Sequence, residues 1–494
     1  MTDHMTAFCL DAWEYADQIS RVETFYNYDS RTITSDMASF RDLYKNDVDF
    51  EALALQSKEF AKYLKPNGQL DFNDPGAVRQ LTVSLLEKDF GLEVNLPDDR
   101  LCPPYKCADV ICSKVPNRLN YILWLHDLLD STTGTSNVRN DSGRKVVGLD
   151  ILSGTGCCSI YPLLGCKARP SWEFVATDID ENNARTATEN VKLNNLESRI
   201  RVFKTEANDL LFPLEKLERK GLDFTMCNPP FYTSRQEMLQ LSENKAQEPS
   251  SVCTGADVEM VAPGGEIAFV TRMIEESLHL RTQIQWYTSM LGKLSSVSAL
   301  VEKLMKHGNQ NYAVTEFVQG SKTKRWALAW SWGDRRPSMT AARGIPGFPK
   351  NLLPFPANYH FTLLSDISID HATSVINKEL GSLRWFWNWD KDLSTGVGFA
   401  AENVWSRQSR RKMRLAGQDS SSAKFAAVPD KIALGVRVQA KLVRGQSESP
   451  NANEVHVSID WSQGIDSVLF ESFCGMLKRK LESSKSQEAE KSTA

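Results

Sequence analysis

Lys145–Ser159 read KVVGLDILSGTGCCS, and the fold follows from this stretch. The apolar run from Lys145 to Asp150 predicts a strand, and Gly154 and Gly156 predict a tight turn leading into a helix. Glycine has no Cβ, so a chain turning there lets its backbone approach a ligand closely. The pair alone is a weak signal, because nicotinamide dehydrogenases share the layout. Twenty-four residues after Gly154, Asp178 stands near the end of FVATDID (174–180). This reads as a second strand, Phe174 to Asp178, whose acid can accept hydrogen bonds from ribose hydroxyls.

Outward from this core, strand and helix signals alternate. Glu181 to Asn194 predicts a helix, Ile200 to Lys204 and Phe224 to Cys227 predict strands, and Ile267 to Val270 a short strand after Pro263-Gly264-Gly265. Val314 to Val318 and Trp326 to Trp330 predict a terminal antiparallel pair. Alternation of this kind implies a doubly wound, mainly parallel sheet with helices on both faces. Upstream, helical spacings run from Ser39 to Leu64, from Asp74 as N-cap with Pro75 at the first position to Phe90 before Gly91, and from about residue 117 through Leu128.

The division expected is a flexible extension over 1–36, an α/β domain over 37–337 and a Pro/Gly-rich linker over 338–356. A smaller α+β domain over 357–482 and a polar, disordered tail over 483–494 follow. In the smaller domain His360 to Leu363, Leu383 to Trp389, Lys431 to Arg444 and Val455 to Trp461 predict strands, and Asp466 to Leu481 a helix.

The tetrapeptide Asn228-Pro229-Pro230-Phe231 follows directly on the strand ending at Cys227. It carries a specific chemistry. An exocyclic amine on an aromatic ring is a poor nucleophile, because its lone pair is delocalised into the ring. Accepting both of its N–H bonds favours a pyramidal nitrogen with the lone pair aimed at a methyl donor. The Asn228 side-chain oxygen can accept one bond and the Pro229 carbonyl, held by the proline pair, the other. Phe231 can stack on a base swung out of its helix. The competing reading is a strand-terminating turn with a core phenylalanine.

Composition sets the frame. The 494 residues are 41% hydrophobic and 24% charged, as in a water-soluble globular protein of two or three domains. No apolar stretch is long enough to cross a membrane and no secretory leader is expected. Ten cysteines in such a chain point to reduced thiols in nucleus or cytoplasm. Cys102, Cys107 and Cys112 lack the paired spacing of a zinc site, so no metal is expected. The net charge of −4 means that any nucleic-acid surface must be a local patch.

The chain resembles the methyltransferase-like 16 family, adenine-N6 RNA methyltransferases that modify U6 small nuclear RNA and have bacterial relatives acting on ribosomal RNA. The blocks that carry the resemblance are FNDPGAVRQLTVSLLEKDFGL (72–92), VPNRLNYILWLHDLL (115–129), SIYPLLGCK (159–167) and CNPPF (227–231). Three more are GGEIAFVTRMIEESL (264–278), WYTSMLGK (286–293) and TEFVQGSKTKRWALAWS (315–331). The resemblance implies a class I, Rossmann-like methyltransferase fold with a seven-stranded sheet, S-adenosylmethionine as cofactor and structured RNA as partner. It implies Asn228, Pro229, Pro230 and Phe231 as the catalytic motif. Arg118, Gly154, Gly156, Asp178, Asp209 and Asn228 are implied at the cofactor. Arg41, Lys45, Lys293, Lys324 and Arg325 are implied on the RNA, with Lys322 beside them. Two departures from the family pattern stand out. Three residues, Ile151, Leu152 and Ser153, separate Asp150 from Gly154 rather than one, and Tyr105 to Lys114 reads as an insertion.

Two other readings stand beside this one: an amine methyltransferase acting on DNA adenine or protein glutamine, and a non-catalytic RNA-binding protein on the same scaffold. In the second domain, the basic run Arg407 to Arg414 and the tryptophans Trp385, Trp387 and Trp389 suggest an accessory RNA-binding module. The plainer alternative for the tryptophans is one buried strand face.

Overall fold

The computed structural model describes residues 43, 48–98, 115–133, 144–151, 158–237, 260–319, 323–363, 367–409, 411, 428–444 and 453–492. Arg41, Lys45, Lys322, Gly154, Gly156, the 1–36 extension, the three clustered cysteines and most of the basic run after Arg407 lie outside them.

The large domain opens with helices α1 (Phe50–Gln56), α2 (Lys58–Ala61), α3 (Pro75–Phe90) and α4 (Val115–Thr132). The helix expected over 39–64 is interrupted at Ser57, which ends α1 and caps α2 by accepting Phe60 N–H at 3.3 Å. Asp74 caps α3 by accepting Gly76 N–H at 2.8 Å, and Gly91 ends it at φ +57°.

The sheet domain runs β1 (Val146–Ile151), α5 (Ile160–Ala168), β2 (Trp172–Asp178), α6 (Glu181–Leu193), β3 (Ile200–Lys204) and β4 (Leu222–Cys227). It continues through α7 (Gly265–Leu280), β5 (Ile284–Leu291), α8 (Leu294–Lys306), β6 (Tyr312–Gln319) and β7 (Thr323–Trp330). Strand order is β3-β2-β1-β4-β5-β7-β6-β8, where β8 is the two-residue Arg343–Gly344. The first five strands are parallel, and β7 lies antiparallel between β5 and β6. The mainly parallel α/β sheet is as expected, but it has eight strands rather than seven, the eighth a two-residue edge strand.

Three further expectations are corrected. Ile267 to Val270 is not a strand but the first turns of α7, which buries Val270, Met273, Ile274 and Ser277. A four-residue apolar run has no periodicity of its own, and the spacing of the whole segment is helical. Residues 338–356 are not a linker. They form α9 (Met339–Ala342) and β8, and they bury Ile345, Phe348 and Leu352 in the sheet domain's core. The prolines and glycines shape a packed strap here rather than a free tether. The 483–494 tail is not free either, because the last helix extends to Ser492 through residues with good helix propensity.

The smaller domain consists of β9 (Asn358–Thr362), α10 (Ile369–Gly381), β10 (Phe386–Asp390), β11 (Thr395–Ala400), β12 (Leu434–Arg444), β13 (Asn453–Gln463) and α11 (Ser467–Ser492). Its five strands form an antiparallel sheet in the order β10-β11-β12-β13-β9. Trp385, Trp387 and Trp389 form a column of stacked indoles, with ring centroids 5.5 and 6.0 Å apart. The column begins in the core, where Trp385 is buried against Phe473 of α11. Gly396 and Gly398 on β11 leave room for it: a Cβ at Gly398 would lie 2.4 Å from the Trp385 ring. The plainer reading, a strand face, therefore accounts for Trp385, while Trp387 and Trp389 are half-buried.

Candidate active site at the carboxyl edge of the large sheet

In a doubly wound sheet, ligands collect beyond the carboxyl ends of the strands, where the strand order reverses. Here that point is between β1 and β4, which pair up to Ile151 opposite Cys227. Asp150 is the penultimate residue of β1, Asp178 ends β2 and Asn228 follows β4. All three are buried on this edge, and Arg118 of α4 is buried beside Asp150.

Hydrogen bonds within the protein orient Asp178. Its carboxylate accepts Asp180 N–H at 2.8 Å and the Asn183 side-chain amide at 3.4 Å, which aims it along the start of α6. Asp150 differs. Among the described residues neither of its carboxylate oxygens has a hydrogen-bond partner, and the same holds for Arg118 Nε and Ser159 Oγ. Burial pushes the Asp150 carboxyl well above its usual range; Asp178 adds to the rise and Arg118 opposes it. Buried polar groups without partners are costly, and a cluster of them at one edge marks a place for a polar ligand. A ligand bringing its own ammonium and carboxylate, as the methionine end of S-adenosylmethionine does, fits this donor and acceptor set. Tyr161 lies under the Arg118 guanidinium at 5.5 Å, and burial pushes its phenol up to about 12.

The Asn-Pro-Pro-Phe segment is held from both sides. Before it, the Tyr121 hydroxyl accepts Cys227 N–H at 3.4 Å and donates to Thr288 Oγ1 at 2.7 Å, which donates to the Thr225 carbonyl at 2.7 Å. These bonds join β4 and β5 beyond Phe224 and Trp286, the last pair in their recorded register. After it, Tyr232 donates to the Met260 carbonyl at 3.1 Å and accepts Ala262 N–H at 3.0 Å. Asn228, Pro229 and Pro230 are buried, and Phe231 is half-buried at the rim. Rigid backbone on both sides is what a pair of fixed acceptors for an amine requires.

Of the candidate RNA contacts that the structure describes, Arg325 is the one placed against Phe231; Lys324 precedes it on β7 and faces the other side of the sheet. The Arg325 guanidinium lies over the Phe231 ring at 5.3 Å. Burial draws Arg325 below its usual range, with Tyr232 and Glu266 opposing the shift. Lys293 pairs with Glu237 at 3.4 Å and Lys324 with Glu316 at 3.1 Å, both partly exposed. Asp209 lies on the turn after β3. Its carboxylate accepts Glu206 N–H at 2.8 Å and pairs with Lys216 at 2.7 Å, which lowers its pKa and ties it to its own turn.

Sequence reading passed over Tyr121, Tyr161, Ser159 and Glu237 as site residues. The first three lie in stretches quoted for the fold or the resemblance, and none forms a local motif. A polar residue inside an otherwise apolar stretch was the one signal available for Tyr121 and Tyr161.

The chain matches the model of a family described as RNA methyltransferase over residues 33–334. It is 34% identical over 422 residues to the "U6 small nuclear RNA (adenine-(43)-N(6))-methyltransferase" of Schizosaccharomyces pombe, covering 85% of this chain and 97% of that one. It is 40% identical over 302 residues to the human "RNA N(6)-adenosine-methyltransferase METTL16", covering 60% of this chain and 50% of that one. It thus spans nearly all of the first relative and half of the second. Among solved structures, the human METTL16 catalytic domain in complex with a MAT2A 3'UTR hairpin is 40% identical, covering 58% of this chain and 91% of that one, with a TM-score of 0.49. The N-terminal domain of human METTL16 in complex with SAH is 37% identical, covering 60% of this chain and 98% of that one, with a TM-score of 0.47.

Proposed function

This chain belongs to the RNA methyltransferase family whose model it matches over residues 33–334, and we propose from that membership that it methylates the N6 amine of an adenosine in structured RNA, with U6 small nuclear RNA as substrate. The observation that carries the proposal is the rigid Asn228–Phe231 segment beside the partnerless Asp150, Arg118 and Ser159 atoms. A U6 substrate puts the protein's work in the nucleus. No described helix is long and apolar enough to cross a membrane.

When bound, S-adenosylmethionine supplies an activated methyl group on a sulfonium. The chain's residues supply position and electrostatics. Asp150, Arg118 and Ser159 would take the polar methionine end and Asp178 the ribose, with Gly154 and Gly156 as further cofactor contacts. Asn228 and the Pro229 carbonyl accept the two N–H bonds of the target amine, and Phe231 stacks on the flipped base. Lys293, Lys324 and Arg325 approach the phosphates, with Arg41 and Lys45 joining them. The smaller domain, with its indole column and Arg407 to Arg414 run, extends the RNA surface.

The test is transfer of a labelled methyl group to a U6-like hairpin, with the product nucleosides analysed. Wild type yields N6-methyladenosine, and Asn228→Ala yields none while melting at an unchanged temperature. Product confined to DNA adenine or protein glutamine, or equal product from the variant, would overturn the proposal.

A further inference from the structure

Glu266 is a carboxylate at the first turn of α7, only 3% exposed. A buried charge is costly unless it is fully hydrogen-bonded. Both of its oxygens are engaged by one turn of chain: Oε2 accepts Gly292 N–H at 2.5 Å and Oε1 accepts Lys293 N–H at 3.2 Å. That turn leads into α8, whose N-cap, Lys293, makes no side-chain cap of its own. Glu266 thus caps α8 from a neighbouring helix, with the helix dipole favouring its charge.

The same turn touches the motif. A Cβ at Gly292 would lie 3.0 Å from Phe231 Cδ1 and 3.1 Å from Glu266 Oε2. Gly292 is therefore the spacer between the carboxylate and the ring. Gly264 and Gly265, at φ +76° and +61°, turn the chain so that α7 starts beneath the Phe231 carbonyl, and a Cβ at Gly265 would lie 3.3 Å from that oxygen. Arg325 covers the ring at 5.3 Å. The ring thus lies between a turn anchored by an anion and a cation.

We propose that Glu266 is a positioning residue for the methyl-transfer reaction: by pinning the Gly292–Lys293 turn it seats Phe231 at the angle on which the target adenine stacks. The inference rests on the proposed function. Glu266 touches neither substrate nor cofactor in this reading; it acts through Phe231.

In Glu266→Gln, one amide keeps an acceptor and the other faces an NH2 group, so the turn shifts. The turnover number for hairpin methylation falls about tenfold, while the Kd for S-adenosylmethionine stays within about twofold. Gly292→Ala, whose methyl presses between the ring and Glu266 Oε2 without changing the carboxylate's charge, gives the same pattern. In a Phe231→Leu background either change costs less than about twofold, because residues acting through one contact are not additive. Full multiplicative losses in that background would overturn the proposal, as would cofactor affinity falling in step with turnover. A wild-type protein that makes no N6-methyladenosine would sink the functional reading and this proposal with it. An active wild type with multiplicative losses would sink this proposal alone.

Discussion

Asp150 shows how much one residue's surroundings decide. Its neighbours in sequence, Leu149 and Ile151, are as buried as it is, yet only Asp150 carries a charge onto the sheet edge. Burial raises its folded pKa above the unfolded value of about 3.9. The sign follows from linkage: the folded chain holds the proton to higher pH than the unfolded chain does. Its contribution to stability is complete below the unfolded pKa and declines as pH rises through the folded one. Asp150→Asn removes that decline, so without cofactor the variant gains stability over wild type as pH is raised from about 4 to 8. At the same time it loses affinity for S-adenosylmethionine. Thermal melts across that range, with and without cofactor, check both; parallel pH profiles for the two proteins would refute the assignment. Residues of this kind divide by legibility. Asn228 to Phe231 and Asp178 were readable because their chemistry lies in a short motif at a strand end. Tyr121 and Glu266 were not, because each acts on a segment more than twenty residues away in sequence that only the fold brings near.

At the scale of elements, β1 and β4 meet through a close approach. Gly148 faces Phe224 so tightly that a Cβ would lie 2.3–2.8 Å from three ring carbons. Phe224 in turn packs on Trp172 and Phe174 of β2. This contact sets the spacing of the strands whose ends carry Asp150 and Asn228. Gly148→Ala overpacks it and lowers stability by about 1–3 kcal/mol, read as a lower denaturant midpoint. An unchanged midpoint would show that Phe224 has another place to go. The strands and caps here were legible: β3 falls where its residues predict, and Asp74 and Gly91 bound α3 as expected. The α7 segment was misread because an apolar run of four fits either period. β5 and α8 went unassigned, although α8 buries Val297, Leu300, Val301 and Leu304 at helical spacing, whereas α5 is the helix expected after the glycine turn.

At the scale of the molecule, the two domains are joined by more than chain continuity. Arg336 N–H donates to the Ser462 carbonyl at 3.0 Å, and Gly464 N–H to the Asp334 carbonyl at 2.8 Å. The Arg336 side chain donates to the carbonyls of Gln310, Gly464 and Ile465 and lies 4.1 Å over the Trp461 ring. Burial draws its pKa down to about 10, with Asp334 opposing the shift. Arg336→Ala leaves those carbonyls without a partner and frees the ring. The expected result is a new protease cut within 334–357 and separate unfolding of the two domains, with methylation of a short hairpin retained. A single unaltered transition and no new cut would show that the strap alone holds the domains. The sequence by itself determined the α/β class, most strands of the sheet and the candidate site at Asp178 and Asn228 to Phe231, because periodicity and short motifs are local properties of the chain. The tertiary structure alone decided that 338–356 packs into the core, that Glu266 and Tyr121 bond to backbone beside the Asn228–Phe231 segment, and that Arg336 bonds across the two domains. Each of these depends on contacts between residues distant in sequence, and the pattern along the chain does not record such contacts.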